Sequence, residues 1–420
     1  MQHSLHTNTV RDEFIAPISE LLPQCKNRRE CRHLSDQVWL EMGVERVLGQ
    51  QRSGRGFLQD WAMTEASAVR VSSFFESLKS KRRQSLVKEL NTALAVSMPT
   101  HRHSVIDTIQ ELNGIDIYAG DGHYHRASTH EQPIKGKRRA VGHFYTLNYR
   151  THAMTHLTAA DLQDGRKKRE HDMHALKRLS ASQLRQGAKT GHQVLYVWDR
   201  AGIDIPQWQK WKQSSGVYFL TRTKELMKIM LMGALDFDRD DPLNAGVLDD
   251  QIAGSQTGGY MFRHITYQCP VTGEIFEFIT NHMKIRPGIL AWLYLRRWDI
   301  EKTYDTFKNK LDETQAWASS DAAKSIQAQF LCLTHNLIVL LEALIEVEDP
   351  KETERCRKRN LEAQAVCEKH GRGYSTLLFS NHSRRTQIGL KFIRWLRHQL
   401  KYNNLISEAK AALVGIYALF

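Results

Sequence analysis

The stretch that most constrains this chain is Ile289 to Leu311, ILAWLYLRRWDIEKTYDTFKNKL, because its polar and apolar side chains separate at helical spacing. At roughly 100° per residue, Tyr294, Arg297, Glu301 and Lys308 fall within an arc of about 60°. Leu293, Ile300, Tyr304, Phe307 and Leu311 form a neighbouring apolar stripe. A helix of this kind buries one flank in a core and presents a carboxylate with three supporting side chains to a cleft. The plainer reading is a surface helix with i,i+4 pairs such as Arg297 with Glu301. What decides between them is whether the rest of the chain offers carboxylate partners for Glu301.

Two places do. Gly114 to Gly122 (GIDIYAGDG) reads as a short strand closing in Gly-Asp-Gly, which sets Asp121 at a strand end beside a flexible turn. Asp-Gly is also a common hairpin turn, and Asp116 is the fallback carboxylate, pointing to the opposite face of the same strand. His192 to Asp199 is an apolar run of strand length followed by Arg200-Ala-Gly202, and Pro206 to Ser214 then reads as a helix. That is a β-α unit with a carboxylate at the strand's C-terminal end, where α/β sheets place their sites. Asp199 equally suits a helix N-cap.

The remaining texture divides the chain. Residues 1–105 read as helical, with Ile18 to Leu22, Ser35 to Leu48 and Val69 to Leu90 at helical spacing and Ser35 or Asp36 as an N-cap. Residues 106–231 carry the strands above, two antiparallel strands over Val141 to His156, a helix over Asp161 to Ala188 and a strand over Gly216 to Thr221. Residues 232–280 read as a β-rich insertion, with acidic loops at Asp236 to Asp241 and Asp249-Asp250 and strands near Tyr260 to Tyr267 and Glu274 to Ile279. Residues 281–348 hold the opening stretch and a buried helix, Ser325 to Val347, whose His335, Asn336 and Glu342 argue against a membrane span. Residues 349–420 give helices with a basic face, Arg384, Arg385, Lys391, Arg394, Arg397 and Lys401.

Lys and Arg number 59 against 46 Asp and Glu, a net charge of +13, which suits a polyanionic partner. Basic clusters at Lys79 to Arg83, Lys135 to Arg139 and Arg166 to Arg169 are either phosphate contacts or solvated segments. No signal peptide or uncharged apolar run of about 18 residues occurs, and the six cysteines lack paired spacing, so free thiols in a reducing cytoplasm are expected. The pairs His101 with His103 and His123 with His125 lack the partner spacing of a zinc site.

Tyr294, Arg297, Glu301 and Lys308 match, at every spacing, the Y-x2-R-x3-E-x6-K signature of the insertion-sequence-4 family of bacterial DDE transposases, which the chain resembles from about Ile115 to Lys308. The resemblance implies a ribonuclease H-like α/β core interrupted by the β-rich insertion and flanked by N- and C-terminal helical regions. It implies Asp121, Asp199 and Glu301 as catalytic ligands of two Mg²⁺ ions, with Mn²⁺ as a substitute, for cleavage and strand transfer. Double-stranded DNA, as inverted repeats and as target, and a homodimer in the synaptic complex are the implied partners. Arg297, Lys308 and Tyr294 would contact phosphates, and Trp298 would stack on a base or sit in the core. His123 departs from the family pattern, which more often has a small hydroxyl residue there. A ribonuclease H-like nuclease without strand transfer, and a silent DNA-binding derivative, are the alternatives.

Overall fold

In the computed structural model the change of period near Leu112 is where helix gives way to sheet. The structure describes residues 8–49, 53–65, 69–102, 104–133, 136, 138, 140–160, 172–255, 259–311, 315–379 and 389–419. Before the change lie α1 (Val10–Leu21), α2 (Asp36–Leu48), α3 (Gly54–Glu65), α4 (Val71–Ser77) and α5 (Lys81–Ser97). Each start that matters is capped: Thr9 and Asp12 form a capping box, and Ser35 accepts from the Val38 amide at 3.2 Å. The Val69 to Leu90 segment is two helices, because Ser80 turns its hydroxyl to the Arg83 amide and starts α5 afresh.

The sheet contains β1 (Ile115–His125), β2 (Val141–Asn148), β3 (Met154–Ala159), β4 (Gln193–Val197), β5 (Val217–Arg222), β6 (Ile229–Ala234), β7 (Val247–Ser255), β8 (Met261–Gln268) and β9 (Ile275–Thr280). Its order is β3-β2-β1-β4-β5-β9-β8-β7-β6, with β1, β4 and β5 parallel and every other pair antiparallel. The protein is thus mixed α/β. Asp249 and Asp250, read as loop, belong to β7, where Asp250 is buried in an ion pair with Arg263. The four strands after β5 extend the same sheet, since β9 pairs directly with β5.

Two further helices, α6 (Asp172–Lys177) and α7 (Ala181–Leu184), precede β4, and α8 (Ile205–Ser215) follows it. Then come α9 (Pro287–Leu295), α10 (Trp298–Lys310), α11 (Asp321–Ile345), α12 (Pro350–Lys369), α13 (Leu390–Tyr402) and α14 (Ile406–Leu419). Strand alternation sorts the core into two faces. Ile117, Ala119, Leu195, Val197 and Leu220 pack with residues of α9, α10 and α11, whereas Tyr118, Tyr196, Trp198 and Phe219 pack with Trp208 and Trp211 of α8.

Among the described helices α11 is long and apolar enough to cross a membrane, yet 78% of its apolar window is buried inside the molecule. Its polar residues are clamps. The Met154 amide donates to Asn336 Oδ1 at 2.7 Å, and Asn336 Nδ2 donates to the Met154 carbonyl and to Asn91 Oδ1 at 3.0 and 2.9 Å.

Part of the basic clusters serves the fold. Arg82 grips both oxygens of buried Asp36 at 2.8 Å, and Arg83 donates to the Leu34 carbonyl, whereas Lys79 and Lys81 are exposed. Arg397 donates to the carbonyls of Leu48 and Lys310, which ties α13 to the ends of α2 and α10. Lys135, Lys137, Arg139, residues 166–169, Arg384, Arg385 and His103 lie outside the described residues. All six cysteines are free thiols.

Candidate active site

The site begins with the register of two parallel strands. Ala119 of β1 lies opposite Val197 of β4, so two residues further on Asp121 and Asp199 stand level, on the face shared by Ile117 and Leu195. Val197 in turn lies opposite Leu220, which brings Arg222 level with Asp199 one strand over. β1 does not end at Gly122 as the Gly-Asp-Gly pattern suggested; it continues paired with β2 to His125. Gly120 serves a close approach and not a turn: a Cβ there would stand 1.7 Å from the buried Trp198 ring.

Each aspartate spends one oxygen on the backbone. Asp121 Oδ1 accepts from the Gly122 amide at 2.8 Å. Asp199 Oδ1 accepts from the Ala201 amide at 2.8 Å, and its carbonyl accepts from the Thr221 hydroxyl at 2.8 Å. Asp199 thus caps the short turn after β4 while lying near Asp121.

Glu301 comes from α10, which is fastened over β1 by Tyr304, whose hydroxyl donates to the Asp121 carbonyl at 2.7 Å. His123 stacks on the Tyr304 ring at 4.6 Å between centroids, so the residue that departs from the family pattern supports the helix holding Glu301. Arg297 bridges the gap, with Nη1 3.2 Å from Asp121 Oδ2 and Nη2 2.8 Å from Glu301 Oε1.

The electrostatics tie all three carboxylates together. Burial pushes Asp121 up to about 7 against the pull of Arg297, and the charges of Asp199 and Glu301 add to the rise. Its side chain retains 17% exposure, so water moderates that cost. Burial opposes the charge of Arg297, but Asp121, Tyr294 and Glu301 outweigh it and raise the guanidinium's pKa. Burial also raises Tyr294, which feels Arg297 on one side and Asp199 on the other.

The single helix expected over Ile289 to Leu311 is two, meeting at Arg296 and Arg297. No proline or glycine marks the junction. The amides of Arg297, Asp299 and Ile300 bond three residues back, to Tyr294, Arg296 and Arg297, a tighter turn than the α-helix. Buried Arg296 and Asp299 pair with each other there, so this neighbouring carboxylate stays outside the site. The apolar stripe is as read, since Leu293, Ile300, Tyr304, Phe307 and Leu311 are all buried.

Trp298 is 59% exposed, which rules out the core role, and its ring lies 5.7 Å from the Arg297 guanidinium carbon. Lys308 is exposed two turns beyond Glu301 on the same side of α10. Asp116 is buried on the opposite face, accepting from the Lys189 amide at 2.8 Å and facing His192 at 3.3 Å, and is no alternative to Asp121.

Among the described residues no three His, Cys, Asp or Glu side chains form a ready metal-binding group. The place between Asp121 and Glu301 is taken by the Arg297 guanidinium. The donor chemistry nonetheless suits a hard divalent cation, because every candidate ligand is a carboxylate oxygen.

Sequence reasoning missed Arg222 and the Tyr304 hydroxyl. Arg222 was within reach, since counting parallel register across β4 and β5 puts it beside Asp199; its guanidinium carbon lies 4.4 Å from the Phe276 ring centre. Tyr304 read simply as apolar. Compared with known proteins, the chain matches no protein-family model and no curated protein.

Proposed function

We propose that this chain is a DDE transposase of the insertion-sequence-4 kind, cutting DNA at the inverted-repeat ends of its element and transferring the freed ends into target DNA. The observation that carries the reading is the level placement of Asp121 and Asp199 on adjacent parallel strands, with Glu301 joined to Asp121 through Arg297. The order β3-β2-β1-β4-β5, with β2 antiparallel to its neighbours, supports a ribonuclease H-like core that β6 to β9 extend.

Asp121, Asp199 and Glu301 would hold two Mg²⁺ ions, or Mn²⁺ in their place, which supply activation of the attacking oxygen and stabilisation of the leaving 3′ oxygen. The chain's own residues do the rest. Arg297, with two carboxylates as its present partners, is the side chain placed to exchange one of them for a DNA phosphate. Tyr294 offers a hydroxyl without adding charge, and Lys308 lies further along the same side of α10 to track the backbone. Trp298, exposed beside Arg297, offers a stacking surface to a base displaced at the cut. A homodimer pairing two ends is the working form of the proposal.

Glu301→Gln tests it. Mg²⁺-dependent nicking of DNA carrying the element's ends should fall about a thousandfold or more, while end binding stays within about threefold. Retention of cleavage in that variant would remove Glu301 from the chemistry. Precleaved ends separate transposition from plain hydrolysis, because only a transposase joins them to target DNA.

A further inference from the structure

The guanidinium of Arg297 occupies the position that a cation shared by Asp121 and Glu301 would need. Its Nη1 lies 3.2 Å from Asp121 Oδ2 and its Nη2 lies 2.8 Å from Glu301 Oε1. The other Asp121 oxygen accepts from the Gly122 amide, so both oxygens of this carboxylate are engaged. A guanidinium stays charged at every accessible pH, and this one is buried, where charge is poorly screened. A divalent ion placed between the same two carboxylates would meet that like charge at contact distance. Arg297 and a shared cation therefore exclude one another here.

Two features indicate what moves the side chain. Glu301 is the more open of its partners, with a side chain 32% exposed against 17% for Asp121, so an anion arriving from solvent reaches the Nη2 side first. Arg297 also sits at the junction of α9 and α10, where three amides bond three residues back, and a tight stretch within a helix often serves as a hinge. A phosphodiester replaces the Glu301 carboxylate in kind, since both are oxyanions that suit the guanidinium fork. Its negative charge offsets the positive charge that keeps divalent ions away.

We propose that the carboxylate site is closed to divalent cations in the free protein and is opened by a phosphodiester that takes Arg297, so that DNA binds before the cations. The inference rests on the reading of Asp121, Asp199 and Glu301 as cation ligands. By linkage, the cations then strengthen DNA binding by the same factor.

Calorimetric titration of Ca²⁺, an oxygen-seeking divalent probe, into the full-length protein reads the order. It is run with the protein alone and with the protein bound to a duplex carrying an end of the element, the heat of the duplex alone being subtracted. Bound DNA should tighten Ca²⁺ binding about thirtyfold. Arg297→Lys keeps the positive charge but cannot bridge both carboxylates, so without DNA it should bind Ca²⁺ about fivefold more tightly than the parent, and DNA should add about fivefold less. Unchanged thermal melts confirm that this variant folds. Equal Ca²⁺ affinity of the parent with and without DNA overturns the proposal, as does an Arg297→Lys protein that binds no more tightly than the parent in the absence of DNA. Either result leaves the ligand reading standing. Absence of Ca²⁺ binding in both proteins, with and without DNA, overturns the proposal together with that reading.

Discussion

Asp121 is the residue on which the site's charge balance turns. Its ordinary value of 3.8 is raised to about 7 by burial and by two neighbouring carboxylates, so below neutrality the fold carries it protonated. A carboxyl with a raised pKa contributes stability below its unfolded value and loses that contribution as pH rises through its folded value. The loss between about pH 4 and pH 8 is at most about 4 kcal/mol, and solvent contact at Asp121 reduces it to roughly 2–3. Asp121→Asn does not titrate. Its melting temperature without divalent cations should therefore gain on the wild type steadily from pH 5 to pH 8, measured by thermal denaturation across that range. A constant gap would mean that Asp121 is charged throughout. On the proposed function the same proton would compete with Mg²⁺, so cation affinity should climb as pH rises toward about 7 and then level off. That Asp199 and Glu301 approach Asp121 was foreshadowed by local patterns, a strand end and helix spacing, although Asp121 lies inside β1 and not at its end. Their linkage through Arg297 was not, because an i,i+4 pair with Glu301 says nothing of a third group 176 residues away in the chain.

At the scale of elements, periodicity reports which face is buried and is silent about where backbone bonding tightens. The stripe from Leu293 to Leu311 was readable for that reason, whereas the break at Arg296 and Arg297, made by three short backbone bonds, left no residue to mark it. The same limit explains β1. Gly120-Asp-Gly122 has the composition of a turn, but the glycine answers to Trp198 on the neighbouring strand, a contact 78 residues distant in sequence. Gly120→Ala should consequently cost about 2–3 kcal/mol through overpacking, although alanine suits a strand better than glycine does. A urea midpoint unmoved by this substitution would show that Trp198 has room to yield. Cleavage should decline with it, since Asp199 follows Trp198 directly in the chain.

For the molecule as a whole, long-range pairing is what the sequence conceals. Strands after β5 were expected near Tyr260 and Glu274, but β6 and most of β7 were hidden by acidic flanks that read as loop, and direct pairing of β9 with β5 has no local signature. The N-terminal helices, the sheet and α11 meet at Asn336, which bonds Met154 of β3 and Asn91 of α5. Asn336→Leu fills the space but strands the Met154 amide and Asn91 Oδ1, so a loss of about 3 kcal/mol in one cooperative transition is expected from chemical denaturation. Two separate transitions would indicate that the helices melt apart from the sheet. The Arg297 bridge matters at this scale as well. Because the Arg297 side chain draws Asp121 and Glu301 together, chelators should leave the melting temperature within about 1 °C of its starting value. On the proposed function, such a protein would be stored dormant, its counter-charge tethered to its own backbone, and would become competent when a polyanion gave that tether somewhere else to go.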